Sequence, residues 1–148
     1  MTRINSAIPV HNLTDEHLLA EHREIKRLPY CLQKSINSGT IRNIPDKFTL
    51  GKGHVLFFLN KQKFILSRYR QIYEECLRRG FIVTSFEENW KTVPEQFLND
   101  YTPTEEEYRM LTERITDRIR NGKKNNYRYY GSVINKAQAE ELLEKNKK

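Results

Sequence analysis

The segment HLLAEHREIKR, residues 17–27, carries the clearest helical pattern of this chain. When successive residues are placed about 100° apart around a helix, this segment and the residues after it separate into three arcs. One arc is apolar, one holds a histidine and two glutamates, and one is basic: Leu18, Ile25, Pro29, Leu32 and Ile36; His17, Glu21 and Glu24; Arg23, Arg27 and Lys34. The two carboxylates therefore lie between a core-facing stripe and a basic stripe.

This intermediate arc has two interpretations. Partial burial raises the pKa of a carboxyl group, and nearby arginines hold an anionic polymer, which together predict an acid or base beside a phosphate track. The alternative is a solvated helix face stabilised by weak ion pairs between residues three or four positions apart. The helix alone favours the solvated face. Evidence from the rest of the chain is needed to distinguish the two interpretations.

Three main helices joined by long irregular connections are predicted, in one compact, mostly α domain over residues 1–148. The first runs from about Thr14 to Ile36, and Pro29 is expected to bend it or end it early. The second covers about Lys63 to Arg79 and stops at Gly80. The third begins at the capping box of residues 104–107 and ends at Asn121–Gly122. A last helical piece is expected around residues 137–144.

The connections are long for a domain of this size. Between the first two helices, the apolar run Val55–Leu59 fits either a helical turn or a short strand, and the glycines of Gly51-Lys52-Gly53 predict a tight turn rather than a phosphate loop. The segment Thr84–Pro103 exceeds an ordinary loop. We expect four of its apolar residues to hold it against the helices: Phe86, Trp90, Val93 and Phe97.

The charge balance favours a polyanionic partner. The chain holds 26 Lys and Arg against 19 Asp and Glu, a formal charge of +7. Nucleic acid is the first candidate partner and an anionic membrane surface the second. No apolar run approaches the ~20 residues of a membrane span, so we expect a cytosolic protein that is not secreted. We also expect a monomer. Cys31 and Cys76 are expected to be reduced packing residues, and the four histidines show no zinc spacing, which predicts no metal and no cofactor.

Aromatic and basic residues alternate after the third helix, in KKNNYRYYG at residues 123–131. Such a pattern is able to stack on bases while it neutralises phosphates, and Tyr127, Arg128 and Tyr129 are therefore candidate DNA-binding residues. Tyrosines that pack on the core are an equal alternative.

Several of these motifs together resemble one family. They are MTRIN at residues 1–5, His17 through Glu24, KFTLGKGHVLFF at 47–58, ECLRRGF at 75–81, NDY at 99–101 and YRYYG at 127–131. In this order they resemble the pyrimidine-dimer DNA glycosylases of phages and large algal viruses, the endonuclease V type. The resemblance covers residues 2–131 and leaves 132–148 as a C-terminal extension.

The resemblance implies a mostly helical enzyme that excises UV-induced cyclobutane pyrimidine dimers from double-stranded DNA and nicks the strand through an abasic-site lyase step. The nucleophile would be the α-amine of Thr2 after removal of Met1. An α-amine has a pKa near ~8, so roughly a tenth of it is neutral at pH 7, unlike a lysine amine. Glu24 matches the catalytic carboxylate, which stabilises positive charge on the sugar and moves protons.

The resemblance also implies which arginines hold the phosphates. They are Arg3, Arg23, Arg27, Arg114 and Arg118, and guanidinium suits this role because it offers paired donors and stays charged. His17 and Glu21 are expected to support Glu24. A base opposite the lesion would be turned out of the duplex, which costs least where pairing is already weakened.

The chain departs from the family pattern at three places. Asn125–Asn126 stand where relatives often have a tryptophan, His22 replaces a common aromatic, and residues continue beyond Gly131. Two other hypotheses therefore stay open. One is a glycosylase and lyase for a different damaged or modified base, and the other is a DNA-binding protein without catalysis.

Overall fold

The computed structural model describes residues 4–144 of the protein. The described part is mostly α, as predicted, with one small antiparallel sheet. The helices are α1 (Asp15–Ile25), α2 (Leu28–Ser38), α3 (His54–Phe58), α4 (Gln62–Arg78), α5 (Glu105–Asn121) and α6 (Lys136–Glu144), and the strands are β1 (Asn126–Tyr129) and β2 (Ser132–Asn135). Short 3-10 helices occupy Val10–Asn12, Thr40–Asn43, Glu87–Thr92 and Glu95–Phe97.

The predicted first helix is two helices, α1 and α2, separated by a turn at Lys26 and Arg27. Pro29 lies in the first turn of α2, where its missing N–H costs nothing. In a continuous helix the same proline would lose the hydrogen bond to the carbonyl of Ile25 and crowd that carbonyl. The chain therefore breaks just before the proline, which confirms that Pro29 ends the first helix early, and the residues from Leu28 to Ile36 belong to a second helix.

The other two long helices confirm their predictions. Thr104 caps α5 through its hydroxyl, which accepts a hydrogen bond from the amide of Glu107 at 3.1 Å. Gly80 ends α4 in a left-handed conformation, with φ of 85°, while the amide of Phe81 donates to the carbonyl of Cys76. The apolar run that fitted both a helix and a strand is α3, whose Phe57 and Phe58 are buried.

The core lies mainly between α1 and α4, with α5 and the connections closing it. Its α4 contribution is the predicted apolar stripe, since Ile65, Tyr69, Ile72 and Cys76 are all buried. The long segment before α5 is held as predicted: Trp90 and Val93 are buried, and Phe86 and Phe97 pack partly against the core. Cys31 and Cys76 are both free thiols.

His22 is buried in this core, and its ring has a hydrogen-bond partner. Its Nε2 lies 3.2 Å from the hydroxyl of Tyr69, and its ring packs on Tyr69 and Phe86. Burial lowers the pKa of His22, with help from Lys26 and Arg23. The histidine therefore packs as a neutral aromatic where the resemblance led us to expect an aromatic residue.

The strands β1 and β2 form a hairpin that pattern analysis did not predict. Asn126 pairs with Asn135, and Tyr129 with Ser132, across a two-residue turn in which Tyr130 and Gly131 have φ of 52° and 80°. The hairpin packs beside α1, and α6 follows it. Among the described residues, no helix is long and apolar enough to cross a membrane.

Candidate active site

A cavity of about 290 Å³ lies between α1, α5, β1 and the segment that precedes α1. It brings together six residues predicted as site residues, along with Asn5: His17, Glu21, Glu24, Arg114, Arg118 and Tyr127. The α1 residues recur at intervals of three and four positions and so share one face of the helix. Ala20 on that face carries only a methyl group, which leaves room between the longer side chains.

Glu24 lies at the edge of this cavity. Its side chain is 27% exposed, and its Oε2 lies 3.3 Å from Nη1 of Arg27, which is 55% exposed. The predicted alternative of an ion pair with a neighbouring arginine is therefore present in the structure. A pair as exposed as this one contributes about 0–1 kcal/mol, so it does not prevent the carboxylate from engaging a substrate.

Glu21 has a different environment although it is one turn away. It is fully buried, and both carboxylate oxygens accept hydrogen bonds from Arg68 at 2.9 Å. Arg68 also donates to the carbonyl of Ile8 at 2.5 Å. The pair ties α1 to α4 and to the N-terminal segment. Loss of one partner would leave a buried charge uncompensated.

Arg114 supplies a half-buried positive charge to the cavity. Its Nη2 makes a long 3.5 Å contact with Oδ1 of Asn5, and its buried Nε has no hydrogen-bond partner among the described residues. Burial lowers the pKa of Arg114, while Glu21 raises it. Arg118 lies one turn further along α5 and is exposed. A guanidinium at a cavity is suited to a phosphate oxygen, because it offers paired donors and stays charged.

His17 forms a neutral wall of the cavity. Desolvation lowers its pKa to about 4, and the charges of Glu16 and Lys124 act in opposite directions on it. Its Nδ1 lies 2.8 Å from the hydroxyl of Thr14, which also caps α1, and its ring stacks on Tyr127 at a centroid distance of 5.6 Å. Tyr127 is only 6% exposed. Its ring is part of the packed wall, which corrects the expectation of an exposed base-stacking tyrosine.

Most other residues of the hairpin are exposed, but Tyr129 is partly buried. The hydroxyl of Tyr129 donates to the carbonyl of His11 at 2.8 Å, and its ring lies 4.9 Å from the guanidinium carbon of Arg79. Arg128 is the exposed member of the predicted trio, with its amide bound to Glu16 at 2.9 Å. The structure therefore favours the packing alternative for Tyr127, whereas Tyr129 is partly exposed and bound to neighbouring segments.

Two of the predicted residues, Thr2 and Arg3, lie outside the described residues. The described chain begins at Ile4, which is completely buried, and continues to Asn5 at the cavity. Arg23 on α1 and Arg27 in the turn that follows α1 are exposed, so both predicted phosphate contacts are available to a large partner.

A larger cleft of about 840 Å³ involves other residues of α5 and does not contain the predicted site. Its lining is rich in carboxylates: Glu105, Glu106, Glu113, Asp117 and Glu144. That charge opposes the approach of a polyanion, so size alone does not identify the site. Within residues 4–144 there is also no cluster of three or more His, Cys, Asp or Glu that is arranged to hold a metal ion.

Two residues at or behind the site were not predicted as site residues. Asn5 lines the cavity, and Arg68 holds Glu21 from a position 47 residues away. Asn5 was part of the quoted MTRIN motif, so the resemblance contained a signal for it. Arg68 has no local signal, because its partner becomes its neighbour only when α1 packs on α4.

The family model described as pyrimidine dimer DNA glycosylase matches residues 1–92. These residues include Thr2, Arg3, Arg23, Glu24 and Arg27, whereas α5 and the hairpin lie beyond the match.

Proposed function

This chain belongs to the pyrimidine dimer DNA glycosylase family, and we propose that it couples dimer excision to strand cleavage through an imine intermediate. Family membership implies DNA as the substrate and glycosylase action on pyrimidine dimers. The proposal adds the lyase step, the nucleophile and the residues that assist it.

The nucleophile we propose is the α-amine of Thr2. Its nitrogen forms a bond to C1′ of the damaged nucleotide while the bond from C1′ to the base breaks, and the base leaves with the electron pair. Opening of the sugar ring then gives an imine between the amine nitrogen and C1′. The imine acidifies the C2′ proton, and removal of that proton expels the phosphate on C3′.

Glu24 is proposed as the carboxylate that stabilises the positive charge on the sugar and moves protons during ring opening and elimination. Its position at the rim of a cavity supports this role, because a carboxylate there reaches a substrate while the surrounding protein strengthens its electrostatic effect. His17 is proposed to support it as a neutral wall rather than as an acid, since its pKa is about 4.

The proposed phosphate contacts are Arg3, Arg23, Arg27, Arg114, Arg118 and Arg128. Arg114 and Arg118 come from α5 and meet the α1 residues at one cavity, so the strand would be held on both sides of Glu24. We propose that a base opposite the lesion is turned out of the duplex, which costs least where the lesion has already weakened pairing.

The proposal rests mainly on the cavity that Asn5 and Glu24 share. Thr2 and Glu24 both lie in the matched residues, and Asn5, three residues after Thr2, lines the same cavity as Glu24. Three residues of extended chain span roughly 10 Å at most, so attack by the Thr2 amine at this cavity is compatible with the length of the chain.

The test is reductive trapping with untagged protein from which Met1 has been removed. A duplex with one thymine dimer is incubated with the protein and borohydride, and any crosslink is mapped by mass spectrometry. We expect a crosslink at Thr2 on damaged DNA and none on undamaged DNA. Trapping on an abasic duplex alone would retain the lyase and reject dimer excision, and trapping on neither would indicate a DNA-binding protein without catalysis.

The Glu24→Gln variant tests the carboxylate. We expect it to abolish nicking while DNA binding stays close to that of the unchanged protein, because only a transition-state interaction is removed. Glu74→Gln is the matched control, since Glu74 is exposed on α4 and does not line the cavity. Nicking by Glu24→Gln at the control's rate would overturn the assignment.

The identity of the damaged base that is excised needs a separate test. The match ends before the hairpin, and Asn125–Asn126 stand where relatives often carry a tryptophan. A second candidate is therefore the same chemistry on a different damaged or modified base. Matched duplexes with a panel of lesions distinguish the two, because inactivity on dimers with activity on another lesion would favour the second.

A further inference from the structure

His54 lies at the start of α3, where a glycine turn directs it into the core. Gly51 and Gly53 have φ of 71° and 92°, which other residues rarely adopt, and the amide of His54 donates to the carbonyl of Gly51 at 3.1 Å. The ring is 1% exposed and meets Phe48 and Phe58 edge to face, at centroid distances of 5.5 and 5.4 Å. This turn is the Gly51-Lys52-Gly53 motif to which the proposed chemistry gives no role.

Both ring nitrogens of His54 have backbone partners. The amide of Ile4 donates to Nε2 at 3.0 Å, and Nδ1 lies 2.9 Å from the carbonyl oxygen of Thr49. An amide is only a donor and a carbonyl only an acceptor, so one tautomer satisfies both contacts: a neutral ring with its proton on Nδ1. Burial lowers the pKa of His54, which favours the neutral ring.

The contact with Ile4 joins positions 50 residues apart. Ile4 belongs to neither a helix nor a strand, so its buried amide needs a side-chain acceptor. Two further contacts hold the same segment: Arg114 meets the side chain of Asn5, and the hydroxyl of Ser6 donates to Glu107. Of these anchors, only His54 binds the backbone of the residue two positions after Thr2.

We infer that His54 is a positioning residue, which fixes the position of Ile4 and so of the point from which the chain runs to the Thr2 amine. This inference rests on the proposed function, in which that amine attacks C1′. Its effect would be on the rate of bond formation rather than on DNA binding, because a nucleophile displaced by about 1 Å loses as much as 10²-fold in rate.

Two variants separate the positioning contact from packing. In His54→Gln, the amide oxygen takes the approximate place of Nε2 and is able to accept from Ile4. In His54→Asn, the shorter side chain keeps a donor near Thr49 but does not reach Ile4. Trp90→Phe is the control for general destabilisation, since it removes a buried 2.9 Å hydrogen bond to Gln62 away from the N-terminal segment.

The measurements are the single-turnover rate of imine trapping on an abasic duplex at saturating protein, the Kd for that duplex, and hydrogen exchange at the Ile4 amide. We expect His54→Asn to lower the trapping rate by about 10- to 100-fold with little change in Kd. His54→Gln should restore most of the rate and the slow exchange of Ile4, and Trp90→Phe should leave both unchanged.

The outcomes distinguish a failure of the proposed function from a failure of the positioning role of His54. If the unchanged protein forms no crosslink at Thr2, the proposed function fails and the inference fails with it. If it does, equal rates for His54→Asn and His54→Gln overturn the positioning role alone. Exchange at the Ile4 amide is measured on the unchanged protein as well, so rapid exchange there would overturn the inference even if both variants failed to fold.

Discussion

Arg118 and Arg120 are two residues apart on α5, and both are exposed, yet their surroundings differ. Arg118 lines the cavity of the candidate active site, whereas Arg120 donates to Glu140 of α6 at 2.8 Å and borders the acidic cleft. A guanidinium that already has a carboxylate partner contributes less to the attraction of phosphate, because its charge is largely compensated locally. Residue type alone does not separate these two roles.

Arg118→Gln should therefore weaken DNA binding, and Arg120→Gln should not. For each phosphate that the protein no longer neutralises, the slope of log K against log salt concentration becomes shallower by about 0.9. Fluorescence anisotropy with a labelled duplex over a series of salt concentrations measures both slopes. Identical slopes for the two variants would contradict the assignment of Arg118 to a phosphate contact.

The carboxylates of Glu21 and Glu24 also have different surroundings, although both residues lie on one helix. Both belong to the predicted polar arc of α1, but Glu21 is bound through both oxygens to the buried Arg68, while Glu24 stays at the rim. Helical spacing places them on one side of the helix. Their division into a structural and a proposed catalytic carboxylate depends on what packs against each of them.

Among the elements, the hairpin of β1 and β2 shows how a charged network replaces a large apolar contact. The carboxylate of Asp15 accepts from the amides of Tyr130 and Gly131 at 3.1 and 2.9 Å. Arg79 binds Asp15 and Glu75, and its guanidinium carbon lies 4.8 Å from the centre of the Tyr130 ring. The hairpin turn is thereby attached to both α1 and α4.

The hydroxyl of Tyr130 offers a test of this attachment, because it donates to Oε2 of Glu75 at 2.6 Å. Burial alone would raise the pKa of Glu75, but hydrogen bonds from Tyr130 and Arg79 lower it. Tyr130→Phe should reduce the free energy of unfolding by about 1 kcal/mol. Urea denaturation measures this change.

Tyr30→Phe is the matched control for the hairpin experiment. Tyr30 is 67% exposed on α2, so removal of its hydroxyl should leave stability unchanged. If both variants lose the same stability, the bond between Tyr130 and Glu75 does not hold the hairpin in place.

For the whole molecule, three buried or half-buried histidines link stability to pH. Desolvation is the largest cause that lowers the pKa of His17, His22 and His54, from an ordinary value of 6.5 to about 4 for His17. Below pH 6.5 the unfolded chain therefore binds more protons at these histidines than the folded protein does. Their contribution to stability is fully present above about pH 6.5 and is lost as the pH falls.

We expect the free energy of unfolding to fall below pH 6.5 by up to about 1.4 kcal/mol per pH unit for each such histidine. Urea denaturation at pH 7.5, 6.5 and 5.5 measures the slope, and His17→Gln should make it shallower. A free energy of unfolding that does not change between pH 7.5 and 5.5 would contradict the neutral state of these rings.

The sequence pattern predicted most of the helices, but it did not predict most of the side-chain contacts at the candidate active site. The second and third predicted helices, the cap at Thr104 and the buried face of α4 are confirmed. The break before Pro29 was placed a few residues late, and the hairpin was missed because its strands are only four residues long. Strand pairing depends on a partner rather than on local propensity, so short strands leave little signal.

By itself, the sequence determined the helix periodicity, the caps, the excess of positive charge and the family motifs around Thr2 and Glu24. These properties depend on residues within a few turns of one another, or on composition alone. Only the tertiary structure decided that Arg68 pairs with Glu21, that Tyr127 faces inward, and that His54 holds Ile4. Burial and long-range partners set the charge and the geometry of these side chains, and both arise only when distant elements pack together.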